Sequence, residues 1–143
     1  MKSLINPNEI LKAIKAHIVD SNMSFSDIAF FSGVGKSTVR STWDGTHIPF
    51  SVNIRKLAVF FKIEVGDFES DMVNRLKKSN IHYSYIANKA IVSDQYVLGI
   101  MNGRYKPSLL MCILLSNALD TLHKEHLLLK TRRNHGFNQK QTA

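Results

Sequence analysis

The sequence predicts an all-helical (all-α) protein: two tandem copies of one small helix-turn-helix unit, docked through a short linker. The first observation behind this is that the chain overlays on itself after a shift of 58 residues. Ser21, Asn22, Ser26, Ile28, Ala29, Val34, Val39, Gly45, Pro49 and Leu57 fall without a gap on Ser79, Asn80, Ser84, Ile86, Ala87, Val92, Val97, Gly103, Pro107 and Leu115. The second is that these matches gather on apolar and turn positions, so what repeats is a packing scheme. The third is that the apolar residues between the turns recur at helical spacing. The boundaries that follow are a first unit over residues 1–65, a second over 66–129, and a basic, flexible tail over 130–143.

In the first unit Ile10, Ile14 and Ile18 recur every four residues, which predicts a helix from Asn8 to Asp20 with Asn6 or Asn8 as its cap and Pro7 near its start. Ser24 caps a second helix, Asp27 suits the positive end of its dipole, and Ile28, Ala29 and Phe31 are expected to face inward. Gly33 supplies the left-handed residue that a sharp helix-to-helix turn demands. A third helix starts near Gly35 or Lys36, with Val39 and Trp43 as its core anchors. A fourth, Val52 to Ile63, carries Ile54, Leu57, Ala58, Phe60 and Phe61, with Phe50 and Phe60 expected in the core. Arg55 and Lys56 on that helix face either phosphate or solvent.

The stretch from Ser26 to Gly45, with small Ala29 at the helix crossing, Gly33 in the turn, apolar Val34 and Val39, and Trp43 ahead of Gly45 and Pro49, resembles the helix-turn-helix of lambda-repressor-like (Xre family) DNA-binding proteins. The resemblance implies that the third helix enters the major groove of double-stranded DNA, and that the protein is a bacterial, phage or plasmid regulator of transcription. The outward positions of that helix are Gly35, Lys36, Ser37, Arg40, Ser41 and Asp44. Arg40 suits a bidentate contact to guanine, Lys36, Ser37 and Thr38 suit phosphate or a base edge, and Ser24 or Ser26 suits the DNA backbone.

The second unit opens at Asp67 or Ser70, with Phe68, Met72 and Leu76 repeating the first stripe after a linker of only Glu64 to Asp67. Its second helix is expected from His82 to Lys89, and its recognition helix from the cap Ser93 to Met101. Asn102 and Gly103 close it, and Pro107 precedes a last apolar helix from Leu109 to about Leu129. Ile91 stands where the first unit has its turn glycine, and Asp94, Leu98 and Gly99 replace Lys36, Arg40 and Ser41 on the outward face. Gln95 can pair with adenine, Tyr96 can meet a sugar or phosphate, and Arg104 and Lys106 flank the helix. This unit is therefore either a second reading head or a dimerisation and docking surface. The leucine face of the last helix, from Leu115 through Leu119 and Leu122 to Leu129, either closes the core or pairs two protomers.

Nineteen Lys and Arg against eleven Asp and Glu give a net charge of +8, which favours a polyanionic partner. The excess sits in residues 1–65 (+3) and 123–143 (+4) rather than in the middle (+1). No apolar run approaches the ~20 residues of a membrane span, residues Met1 to Pro7 do not read as a secretory leader, and the single Cys112 reads as a packed thiol. A cytoplasmic location is expected. Gly35-Lys36-Ser37 imitates the end of a phosphate-binding loop, but that motif requires a glycine where Phe30 stands and a preceding strand. His123 and His126 lack further ligands for a metal. The sequence thus points away from an enzyme and from any cofactor. It points to a specific DNA-binding regulator with double-stranded DNA as partner, a homodimer and another transcription protein being further candidate partners. The rival is a protein-interaction module, such as a coregulator or an antitoxin-like partner.

Overall fold

Among the described residues the chain forms eight helices, in the order that the repeat predicts. The first repeat contributes α1 (Pro7–Asp20), α2 (Phe25–Ser32), α3 (Lys36–Asp44) and α4 (Ser51–Phe61). The second contributes α5 (Phe68–Lys78), α6 (Tyr83–Ala90), α7 (Asp94–Met101) and α8 (Leu109–Thr142). The computed structural model describes the backbone of residues 3–142 and the side chains of residues 3–129. Among the described residues the sole β pairing is an isolated parallel bridge between Leu4 and Val65. None of the helices is long and apolar enough to cross a membrane, again among the described residues.

Local chemistry sets these boundaries. Asn6 Oδ1 accepts from the N–H groups of Asn8 (2.9 Å) and Glu9 (3.2 Å), and Pro7 occupies the first turn of α1, where its missing N–H costs nothing. The Asp27 N–H donates to Ser24 Oγ at 3.0 Å to open α2. Gly33 (φ 79°) ends α2 in the left-handed region, and Gly45 (φ 80°) does the same for α3.

The repeat extends to backbone detail. The left-handed residues Asn22, Gly33 and Gly45 recur as Asn80, Ile91 and Gly103, each 58 residues on. The Ser21 hydroxyl donates to the Ile18 carbonyl and accepts from the Met23 N–H, and Ser79 does the same with Leu76 and Ile81. Ile91 adopts φ 59° with 91% of its surface exposed, so a β-branched residue sits in a conformation that costs about 1–2 kcal/mol with no packing to offset it.

One continuous apolar core joins the repeats, running from Ile10, Ile14 and Ile28 through Leu57 to Phe68, Met72, Ile86, Ile100 and Leu115. Helix α1 packs on α8, where Asn8 Nδ2 donates to Asn117 Oδ1 at 3.1 Å. The Leu4 N–H donates to the Glu64 carbonyl (2.8 Å) and the Gly66 N–H to the Leu4 carbonyl (2.7 Å), pinning the start of the chain to the linker. Arg55 of α4 completes the junction: its Nη2 lies 2.7 Å from Oε1 of the buried Glu69 on α5, and its guanidinium sits 4.7 Å over the Phe68 ring. Arg55 thus ties the two repeats together.

Three aromatic residues expected in the core lie at the surface. The buried side of α2 runs through Phe25, Ile28 and Ala29, so the helical turn of about 100° per residue carries Phe31 onto the flank. There it is 65% exposed and meets Phe30 edge to face at 5.2 Å. On α3 the buried place beside Val39 goes to Thr42, whose hydroxyl donates to the Thr38 carbonyl at 2.7 Å. Trp43 leans on Phe25 at 5.4 Å and stays 47% exposed. Pro49 takes the buried place before α4, leaving Phe50 at the helix cap and 77% exposed. Phe60 is half-buried against the core, as expected.

The backbone of α8 continues to Thr142, past the end expected near Leu129; no proline interrupts it, and Gly136 lies within it. The side chains of the basic stretch 130–143, expected to be a flexible tail, lie outside the described residues.

Candidate nucleic-acid interface

Helix α3 opens at Gly35 with no side chain capping it, so the N–H groups of its first turn remain available to an acceptor from outside. Lys36, Ser37 and Arg40 are exposed on this helix, while Thr38 and Ser41 are half-buried. The Ser41 hydroxyl is partly committed, donating to the Thr38 carbonyl at 3.1 Å. Lys36 also joins α3 to α2: with Met23, Ser24, Phe25 and Ser26 it lines a shallow hollow of about 370 Å³. The Ser24 oxygen is engaged in its own helix cap, which leaves Ser26, exposed in the first turn of α2, as the freer hydroxyl.

Asp44, the acidic group at the far end of this face, is held by its neighbours. Its Oδ1 accepts from the Thr46 hydroxyl (2.7 Å) and the Thr46 N–H (2.9 Å). These bonds, helped by the charges of Arg40 and Lys15, keep its carboxyl below the usual carboxylate range. Lys15 had no sequence signal for this place, because only the packing of α1 on α3 brings its ammonium beside Gly45 at the end of α3. The resulting surface is cationic and hydroxyl-rich at its start, with its one carboxylate tied down at its end.

The second repeat arranges the corresponding surface differently. Ser93 caps α7, its Oγ accepting from the Tyr96 N–H at 3.2 Å. Asp94 and Gln95 are exposed, and so are Arg104 and Lys106 beyond the helix. Tyr96 is half-buried and stacked on Tyr105, ring centroids 5.4 Å apart and 15° from parallel. Contrary to expectation, Gly99 does not face outward; it is buried under the Tyr105 ring, and Leu98 is half-buried. Tyr105 escaped the sequence reading, although a glycine replacing Ser41 six residues before a tyrosine is a signal that could have pointed to it.

No protein-family model, curated protein or solved structure matches the chain. The interface therefore rests on its own geometry.

Clefts also lie elsewhere among the described residues. One of about 590 Å³ lies between the α5–α6 turn and α8, lined by Asn80, Ile81, Tyr85, Leu122, His126 and Leu129 among others. Another, about 410 Å³, lies between the starts of α4 and α8, beside Arg55 and Lys106. Among the described residues no three His, Cys, Asp or Glu side chains gather as a metal site would require. Cys112 is buried, its Sγ 4.0 Å from the Phe68 carbonyl, and burial pushes its thiol up to about 12.

Proposed function

We propose that the chain is a sequence-specific double-stranded DNA-binding regulator of transcription, built from two tandem lambda-repressor-like helix-turn-helix units. The single observation that carries this is the exposed face of α3, where Lys36, Ser37 and Arg40 stand together beside an uncapped helix start. A B-form major groove admits such a helix. In this reading Arg40 donates a bidentate pair to guanine O6 and N7, and Ser37 reaches a neighbouring base edge. Lys36, Ser26 and the first-turn N–H groups of α3 hold phosphate, fixing the register of the helix without reading sequence. Release of counterions by the remaining lysines and arginines supplies affinity. Action in the cytoplasm, and a homodimer that presents two α3 helices, belong to the same proposal.

The test is selection of bound duplexes from a random pool, then titration of the winner and a scrambled duplex at two salt concentrations. A defined motif that outcompetes the scramble at the higher salt is the expected result. Binding that fades with salt alike on both duplexes sinks the proposal.

The exposed Phe30–Phe31 pair and Phe50 favour a second reading, in which the fold presents these apolar surfaces to another protein. Co-purification of a stoichiometric partner that Phe30→Ser and Phe31→Ser together abolish, with no enriched DNA motif, would decide for it.

A further inference from the structure

We infer that the second repeat does not read bases: on α7 the places of Lys36, Ser37 and Arg40 are held by Asp94, Gln95 and Leu98, and Tyr105 walls off the flank beside them, so each chain carries one reading helix. This rests on the proposed reading of α3. In both repeats the chain folds back the same way after the third helix. The His47 N–H donates to the Ser41 carbonyl, and the Tyr105 N–H to the Gly99 carbonyl, both at 3.3 Å. The turn thus carries the side chain that follows it back beside the helix. In the first repeat Ser41 has a side chain of its own there.

In the second repeat Gly99 leaves that space open. A Cβ placed on Gly99 would lie 2.5 Å from both Cδ2 and Cε2 of Tyr105, so the edge of the ring rests on the helix backbone itself. Stacking on Tyr96 holds the ring there. By the 58-residue shift, Tyr96 and Gly99 occupy the places of Thr38 and Ser41, half-buried beside the exposed Lys36, Ser37 and Arg40, so an aromatic pair walls the flank of the corresponding face of α7. At the places of the Lys36, Ser37 and Arg40 set, Asp94 repels phosphate and the half-buried Leu98 offers no hydrogen bond, which leaves Gln95 alone. Arg104 and Lys106 remain exposed on either side of Tyr105. Their charges serve the phosphate backbone, so the second repeat adds affinity without adding sequence information.

The experiment combines duplex selection by the full chain with titrations of Arg40→Ala and Gln95→Ala, and with NMR of the Gly99 α-protons with and without the selected duplex. The ring edge should shift the Gly99 α-proton that faces it downfield; Tyr105→Leu should remove the shift, and the duplex should leave it in place. Arg40→Ala should weaken binding at least about fivefold and relax every block of the selected motif, whereas Gln95→Ala should change affinity less than about twofold. A block that relaxes in Gln95→Ala while an Arg40-dependent block persists overturns the inference, and so does loss of the downfield shift on adding duplex. Absence of any selected motif overturns the reading of α3, and this inference with it.

Discussion

Arg40 and Lys36 lie four residues apart on one exposed face, yet their loss should be distinguishable. Arg40→Ala should cost about 1 to 3 kcal/mol at one base pair and relax specificity there. Lys36→Ala should weaken binding evenly across sequences and flatten the salt dependence by about one counterion; binding curves at several salt concentrations on matched and mismatched duplexes separate the two. Equal loss on every sequence for Arg40→Ala would show that it touches only phosphate. Cys112 permits a different test. Burial raises its thiol from 9.0 to about 12, so between those values the unfolded chain releases a proton that the folded chain keeps. Stability therefore falls as pH rises through that window, and Cys112→Ala, once its cavity cost is subtracted as a constant, should lack that component. Urea unfolding at a series of alkaline pH values checks the sign. That Cys112 is packed was legible in its apolar helix; that Thr42 rather than Trp43 fills the core beside Val39 was not, because helical spacing names a face without saying which of two adjacent residues the neighbouring helices can cover.

At the scale of elements, the turn between the second and third helix occurs twice with one backbone conformation and two residues. Gly33 adopts φ 79° at no steric cost, while Ile91 adopts φ 59° against its preference. Substitution should therefore act with opposite signs at equivalent places. Gly33→Ala should destabilise by about 1 kcal/mol, and Ile91→Gly should stabilise by a similar amount less the added freedom of the unfolded chain. If chemical denaturation shows Ile91→Gly to be destabilising, the left-handed turn is not where the strain lies. These elements were the most legible part of the chain. Caps, turn glycines and the four-residue spacing of Ile10, Ile14 and Ile18 are properties of neighbours in sequence, so helix starts at Pro7, Lys36, Asp94 and Leu109 followed closely from them. The end of α8 was less so, since the exposed leucines near 127–129 mark the edge of the core and not a stop signal for the helix.

At the scale of the whole molecule, the Arg55–Glu69 pair, the α1–α8 contact and the shared core predict that the repeats unfold together. Trp43, the single tryptophan, reports on the first repeat, and far-UV circular dichroism reports on all helices. Their urea transitions should coincide, and a fluorescence transition that runs ahead of the dichroism would show two independent units. Glu69→Ala should lower stability by about 2 kcal/mol, less than a fully buried pair would lose because the Arg55 side chain is 40% exposed. The sequence by itself determined the helical class, the turns and the cationic stripe of α3, because each depends on residues within a turn or two of one another, and the repeat of 58 residues, because those local patterns recur in the same order. The tertiary structure alone decided that Arg55 clasps the second repeat, that Lys15 reaches the end of α3, that Phe31 and Phe50 stay uncovered, and that Tyr105 lies on Gly99. Those outcomes depend on which surfaces meet when helices pack and where a turn delivers a ring, and spacing along the chain carries no record of either.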